Sequence, residues 1–469
     1  MAKINYLTAM LRIISSMEKK QQRTIMAVVI TTAFITTFTG SALNLSIPDI
    51  GRQFDISAGI AGWLITGYTL AVAAFSVPSG RIADVTGRKT VLAAGIMIFT
   101  VCCIAAVFSM SVFMLLAARI LQGTGAAMIF STNTAVLISS FPEEKRGRAL
   151  GCSMAATYAG LSAGPALGGF LNYNFGWRSI FILTGVLGAA AFFAAAFGIR
   201  REKPEPRSRS LDFKGNLLYA AFIVFLMYGL SETGKGVLPI LIAVLGGVLG
   251  VLFAIRESRV PDPAVKLAMF REKPGYAFSN ISALLNYGAT FAIGYLVSIY
   301  LQVVMGFSSQ SAGFIMIAQP AMMALLSPLA GKFSDRLSPF RMASAGMAFC
   351  AAGTGILIFA GTDTGLAPVI AALLVSGFGF SLFSSPNTNA VMSFVKEEDY
   401  GVASSILATM RSVGNTLSMV IVTVIFNGFM EGVTLADASP DVLIKVTRIS
   451  FAVFTAVCTA GIFLSLKRK

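Results

Sequence analysis

Apolar stretches of about 20 residues follow one another along most of this 469-residue chain. Each is long enough, as an α-helix, to cross a hydrocarbon core about 30 Å thick. Hydrophobic residues make up 56% of the sequence and charged ones 12%, and the mean hydropathy is +0.78. Those values do not describe a soluble protein. Fourteen spans of roughly 20 residues would occupy about 280 positions, about 60% of the chain, in agreement with the apolar fraction. The fold class expected is an all-α polytopic membrane protein.

The placement of charge sets the topology. A net charge of +15 could suggest a nucleic-acid partner, but the basic residues concentrate in alternate loops, and none is expected. With both termini cytoplasmic, 29 of the 36 Lys and Arg fall on the inner side, five in outer loops and two inside spans. Residues 1–23 place Ile4, Leu7, Leu11 and Ile14 at helical spacing among Lys3, Arg12, Lys19 and Lys20, the pattern of an amphipathic helix on the anionic inner leaflet rather than of a signal peptide. Histidine is absent, which removes imidazole-based metal binding, proton relay and Ser-His catalysis. Cys102, Cys103, Cys152, Cys350 and Cys458 lie in apolar segments with no metal or disulfide spacing. No nucleophile-base pair or nucleotide loop occurs either, so neither an enzyme nor a cofactor is expected.

Two glycine-punctuated, charged loops organise the chain. Residues 80–89 carry Gly80, Asp84, Gly87, Arg88 and Lys89 between two apolar runs. A weaker copy starts 251 positions later, with Gly331, Asp335 and Arg336. The repetition implies two related halves, each with an inner loop able to act as a latch. The expected units are residues 24–199, a six-span bundle; 200–214, a charged inner linker; 215–255, two added spans; 256–274, a second linker; and 275–469, a second six-span bundle with a short basic tail. The fourth span repeats in the twelfth: Gly123 and Gly125 answer to Gly377 and Gly379, and Asn133 to Asn387.

Polar residues inside spans need a protein or water neighbour. Arg119 is the most demanding, and at 100° per residue Arg119, Gln122, Ala126, Phe130 and Asn133 share an arc of roughly 80° on the fourth span. Arg119 either has a functional role inside the membrane or ties neighbouring helices through their carbonyls. In the fifth span Gly160, Gly164, Pro165, Gly168 and Gly169 describe a kinked helix whose backbone approaches others closely. Thr39, Asn44, Tyr68, Phe130, Asn133, Asn286, Tyr287, Gln319, Asn387, Asn389 and Arg411 are the candidates for a central cavity, each equally able to serve as an interhelical hydrogen bond.

Taken together, these motifs resemble the major facilitator superfamily over essentially the whole chain, and within it the fourteen-span drug:proton antiporter branch. Residues 80–89 are similar to that family's loop between spans two and three, departing at Ile82 and Val85. Arg119, Gln122, Gly123 and Gly125 are similar to its fourth-span motif, and Gly160, Gly164, Pro165, Gly168 and Gly169 to its antiporter motif. The resemblance implies two pseudo-symmetric six-helix bundles plus two central helices, rocking around a cavity in a monomer of the cell membrane. It also implies proton-driven export of small amphipathic or hydrophobic compounds, with Arg119 influencing the coupling. One position departs: Thr39 stands where the branch usually has an aspartate. Two buried arginines without a buried acid would instead favour an anionic or neutral substrate. A non-transporting sensor on the same scaffold is the reading from another class; such proteins usually carry a large soluble domain, and only short loops are seen here.

Overall fold

A computed structural model describes residues 2–199, 212–260, 263, 268–334, 337–395, 400–430 and 439–466, with the side chains of 2–19, 143–148 and some single positions outside that description. The described residues are helical, with no strand among the elements. The first half comprises α1 (Ala2–Leu43), the short α2 (Ile47–Phe54), α3 (Ala58–Thr86), α4 (Arg88–Val107), α5 (Val112–Ser140), α6 (Glu143–Phe175) and α7 (Arg178–Gly198). Two helices follow, α8 (Phe213–Ser231) and α9 (Val237–Glu257). The second half holds α10 (Ala268–Glu272), α11 (Pro274–Thr290), α12 (Ile293–Ile299), α13 (Ser309–Met316), α14 (Ala318–Ser334), α15 (Pro339–Leu357), α16 (Leu366–Ser393), α17 (Tyr400–Phe429) and α18 (Pro440–Leu466).

Thirteen of these helices, or end-to-end helix pairs, are long and apolar enough among the described residues to cross a membrane. The expected fourteenth is α6, whose 33 residues suffice in length but whose glycines, serines and charged first turn dilute its apolarity. α1 runs unbroken from Ala2, while its stretch apolar enough to cross a membrane begins at Lys20, so residues 2–19 join the first span without a break in the helix. Its physical reason is local: no glycine or proline interrupts the run of helix formers there. Two spans are broken. Pro320 cannot donate to Met316, and the chain divides into α13 and α14 at Ile317. The other span divides into α11 and α12 at residues 291–292, and beyond α12 a π-helical turn, Tyr300–Val304, ends it with Met305 N–H on the Tyr300 carbonyl at 3.0 Å and with Gly306 at φ +71°.

The internal repeat extends to individual backbone contacts. A Cβ on Gly123 of α5 would stand 2.4 Å from the Tyr68 carbonyl oxygen of α3; on Gly377 of α16 it would stand 2.5 Å from that of Gln319 in α14. Gly125 meets the Phe99 nitrogen at 2.7 Å, and Gly379 meets the Cys350 nitrogen at 2.6 Å. Gly160 of α6 abuts Phe34 and Phe38 of α1 as Gly414 of α17 abuts Leu284 and Gly288 of α11. Only glycine lets backbones approach this closely, and at these crossings the same residue type recurs in both halves.

The halves are tied together at the end opposite the glycine loops. Ser298 Oγ donates to the Asn44 carbonyl at 2.7 Å, and Gln302 Nε2 to that of Leu45 at 3.1 Å. Thr66 and Thr423 hydroxyls lie 3.4 Å apart. α6 presses on α13 there, the Gly169 backbone against Ser309 and Pro165 against Gly313.

α8 and α9 lie alongside this seam. Leu70, Ala73 and Ala74 of α3, Tyr219, Ile223 and Met227 of α8, Phe253 of α9 and Val420 of α17 form one apolar cluster. Tyr219 donates to the Ala73 carbonyl at 3.1 Å. At the loop end Asp212 caps α8 by accepting from Gly215 N–H at 3.0 Å and binds Arg256 at 2.5 Å. At the other end buried Glu232 accepts from Trp63 Nε1 at 2.7 Å and pairs with Lys235 at 2.6 Å.

Candidate functional site

The two span arginines have different surroundings. Arg119 is buried in the first half: its Nε donates to the Leu64 carbonyl at 3.0 Å, one Nη donates to Gln122 Oε1, and the guanidinium stacks 4.2 Å over the Tyr68 ring. Gln122 passes the connection on through Nε2 to Cys103 Sγ at 3.0 Å, which faces Thr184 Oγ1 at 3.5 Å. The network joins α3, α4, α5 and α7. A guanidinium so placed is paid off in hydrogen bonds, and it anchors the helices that surround it. Asn133, lower on α5, exchanges hydrogen bonds with Thr32 of α1 at 3.1 and 3.3 Å, while Phe130 is 39% exposed.

Arg411 of α17 is half-buried at the seam between the halves. One Nη donates to Thr388 Oγ1 at 2.7 Å, and the guanidinium lies 5.4 Å from the Tyr287 ring centre. Its Nε is buried without an acceptor, and no carboxylate pairs with it among the described residues. Tyr287 is fixed edge-on to Phe380 at 5.1 Å and has its hydroxyl 3.4 Å from Ser384 Oγ. From the first half, Tyr158 of α6 reaches into this group, beside Ser384, Ser327, Tyr287 and Arg411. The result is a cationic and hydroxyl-rich cluster shared by both halves, on the loop side of the Pro165–Gly313 contact. Tyr158, Ser327, Ser384 and Thr388 were not legible as site residues, because isolated hydroxyls in small-residue helices have no distinguishing spacing.

The other candidates disperse. Thr39 is buried and bonds its own helix, to the Ile35 carbonyl at 2.6 Å. Asn44 lies at the closed end of the seam, its Nδ2 against Gly294 and its Oδ1 without a donor. Asn286 is buried beside Cys350 within the second half. Gln319 is half-buried, Asn387 is buried, and Asn389 donates to Ser334 Oγ at 2.5 Å near the loop end. Of the loop residues, Gly87 ends α3 at φ +100°, which a side chain would strain, whereas Gly80 sits in regular helix with Ser131 Cβ at 3.8 Å. Lys89 Nζ satisfies carbonyls of Ala196 and Ile199 at the C-terminus of α7. Asp84 is exposed, Arg88 is half-buried, and Gly331 packs on Ser385. Asp335 and Arg336 lie outside the described residues. In the antiporter motif, Gly160, Gly164 and Gly168 receive α1, while Pro165 and Gly169 receive α13 from the other half. A solvent-open depression of about 680 Å³ at the far end, lined by Asp363, Asp441, Lys445 and Arg448, has Arg448 committed to the Ala360 carbonyl and is remote from this cluster.

Two repeated helical bundles, apolar outside and joined around a polar seam, define a polytopic transporter rather than an enzyme. The Major Facilitator Superfamily profile matches residues 29–419, and the chain belongs to that family. It is 27% identical over 451 residues to the riboflavin transporter RibZ of Clostridioides difficile (strain 630), covering 95% of this chain and 97% of that one. It is 30% identical over 407 residues to the multidrug resistance protein Stp of Mycobacterium tuberculosis (strain ATCC 25618 / H37Rv), covering 85% and 75%. Among solved structures it is similar to a peptide transporter POT in complex with sulfate, at TM-score 0.70 and 14% identity, covering 96% and 93%. That last likeness is one of fold.

Proposed function

We propose that this transporter is a secondary active exporter of small amphipathic or hydrophobic compounds, driven by the proton gradient across the cell membrane and working as a monomer with both termini in the cytoplasm. The observation that carries the reading is the asymmetric seam. The halves meet by hydrogen bonds and backbone contacts at the end opposite the glycine loops, and the Tyr158–Arg411 cluster lies on the loop side of that contact. The basic loops assign the loop end to the cytoplasm, so a compound would enter from inside and leave when rocking transfers the closure to the other end. Relatives named for multidrug resistance and riboflavin transport support transport of organic compounds.

A second reading, export or facilitation without a central proton-carrying carboxylate, is favoured by one observation. The buried carboxylates among the described residues are Glu232 and Glu257, at opposite ends of the α8–α9 pair, and Thr39 occupies the usual aspartate position. Reconstituted vesicles loaded with cationic, neutral and anionic dyes, with and without an imposed pH difference, decide between the two. Gradient-dependent movement supports proton-coupled export, gradient-indifferent movement supports the second reading, and no movement of any dye defeats both.

A further inference from the structure

The geometry points to the Arg411 cluster as a binding site for an amphipathic organic monoanion, whose carboxylate or like acid group completes the coordination of the guanidinium. This rests on the transport reading above and names the substrate class of the same seam.

The argument begins from the contrast between the two arginines. Arg119 has a carbonyl, an amide oxygen and an aromatic face around it. Arg411 has one hydroxyl and an aromatic face, a buried Nε with no acceptor, and no acidic partner among the described residues. A buried Nε left without an acceptor on a half-buried guanidinium is costly, and a planar acid group that accepts from Nε and the second Nη is the chemistry that meets it. Thr388 and Tyr287 already fix the orientation of the fork, so little conformational freedom is lost on binding.

The apolar end of the ligand follows from the internal repeat. Contacts that relate Gly160 to Gly414 and Gly123 to Gly377 place Thr157 where Arg411 stands, Thr37 where Tyr287 stands and Phe130 where Ser384 stands. In the first half the corresponding pair closes on itself, Thr37 donating to the Thr157 carbonyl at 3.1 Å. The second half therefore contributes the cation and most of the hydroxyls, with Tyr158 the one from the first half, and the first half's equivalent of Ser384 is Phe130, 39% exposed. A compound with an acid group at one end and an apolar body at the other matches that division.

The test uses the purified full chain in nanodiscs and equilibrium dialysis of four probes: 2-naphthoate, 2-naphthalenemethanol, 2-naphthylmethylammonium and acetate. Naphthoate is expected to bind at least about tenfold more tightly than the other three, the difference a charge-assisted pair supplies. Arg411→Gln is expected to remove that preference, and Lys445→Gln, a surface position at the far end, to leave it intact. Thr388→Val, which frees the fork, serves as the second variant, weakening naphthoate while leaving the alcohol unchanged. Equal binding of the three naphthyl probes, or a naphthoate preference that survives in a monodisperse Arg411→Gln protein, overturns the inference. Gradient-driven transport of the same probes is scored separately. Arg411-dependent naphthoate binding without transport sustains the site and defeats export, whereas ammonium transport indifferent to Arg411→Gln sustains export and overturns the site.

Discussion

Replacing Gly313 by alanine should open the end of the seam that is closed in this structure. A Cβ at Gly313 would lie 2.1 Å from the Pro165 carbonyl oxygen, and one at Gly169 would lie 2.4 Å from that of Ser309. Neither obstacle is a side chain that can rotate away; both are backbone atoms of the facing half. Restoring ordinary contact requires α6 and α13 to part by about 1 Å, and overpacking on that scale costs about 1–3 kcal/mol. Because the clash exists only while this end is closed, the penalty shifts the equilibrium toward the opposite opening by roughly 5- to 150-fold. Spin labels at the exposed positions Asn174 and Ser311, in a Cys152→Ser background, would report the change as a growing long-distance population by pulsed EPR. Gly123→Ala provides the control: its clash with Tyr68, 2.4 Å, lies within one half and should lower the melting temperature without changing the distance distribution. Gly80→Ala, with 3.8 Å of room, should do neither. A Gly313→Ala protein with the wild-type distance distribution would refute the idea that this crossing holds the halves together.

Three further outcomes follow from the same contacts. Arg119→Met should lower stability by about 1–3 kcal/mol, chiefly because buried Gln122 Oε1 loses its donor while the Leu64 carbonyl keeps its helical partner, read as a lower melting temperature in detergent. Burial alone would raise the Asp212 carboxyl, but the Arg256 hydrogen bond, the Gly215 N–H and the Arg256 and Arg81 charges outweigh it and hold the group below its ordinary 3.8. Its contribution to docking α8 is therefore present above that value and lost as pH falls through the lower folded one, so the melting difference between wild type and Asp212→Asn should be constant near neutrality and disappear only in strong acid. Trp63→Phe removes the N–H that Glu232 accepts and should cost about 1.5–3 kcal/mol, with faster hydrogen exchange at the start of α3 as its local signature.

The spans and their repetition were legible because the bilayer imposes length and the duplicated glycine loops impose register. What hydropathy could not show was continuity: α1 runs through the predicted surface helix, and α6 combines a span's length with too few apolar residues. The cluster around Arg411 was legible only in part. Arg411 and Tyr287 stand out as polar residues within spans, but a helical wheel cannot tell which neighbour each face will meet. For that reason Arg119 and Arg411 read alike in the sequence, as two buried cations, although one is enclosed by carbonyl, amide and ring, and the other opens on the seam. Tyr158 was missed because its role depends on α6 facing α14 across the seam.

The repeat explains why those differences matter. The contacts of Gly123, Gly125 and Gly160 recur at Gly377, Gly379 and Gly414, so those helix crossings repeat between the halves. The side chains that carry charge do not: Leu373 stands where Arg119 would repeat, and Thr157 where Arg411 would. A symmetric pair of bundles can exchange closure between its two ends with little difference in packing. A ligand held by a symmetric set of groups would meet equivalent partners from both halves. Concentrating the unmet cation on α17 and the exposed phenylalanine on α5 gives a bound compound one orientation throughout the cycle, with its acid group moving as part of the second half and its apolar body against the first. Labelled 2-naphthoate should therefore show its carboxylate carbon near α17 in both the loop-open and the loop-closed states, and solid-state NMR distances that place it against α5 in either state would contradict this division of labour.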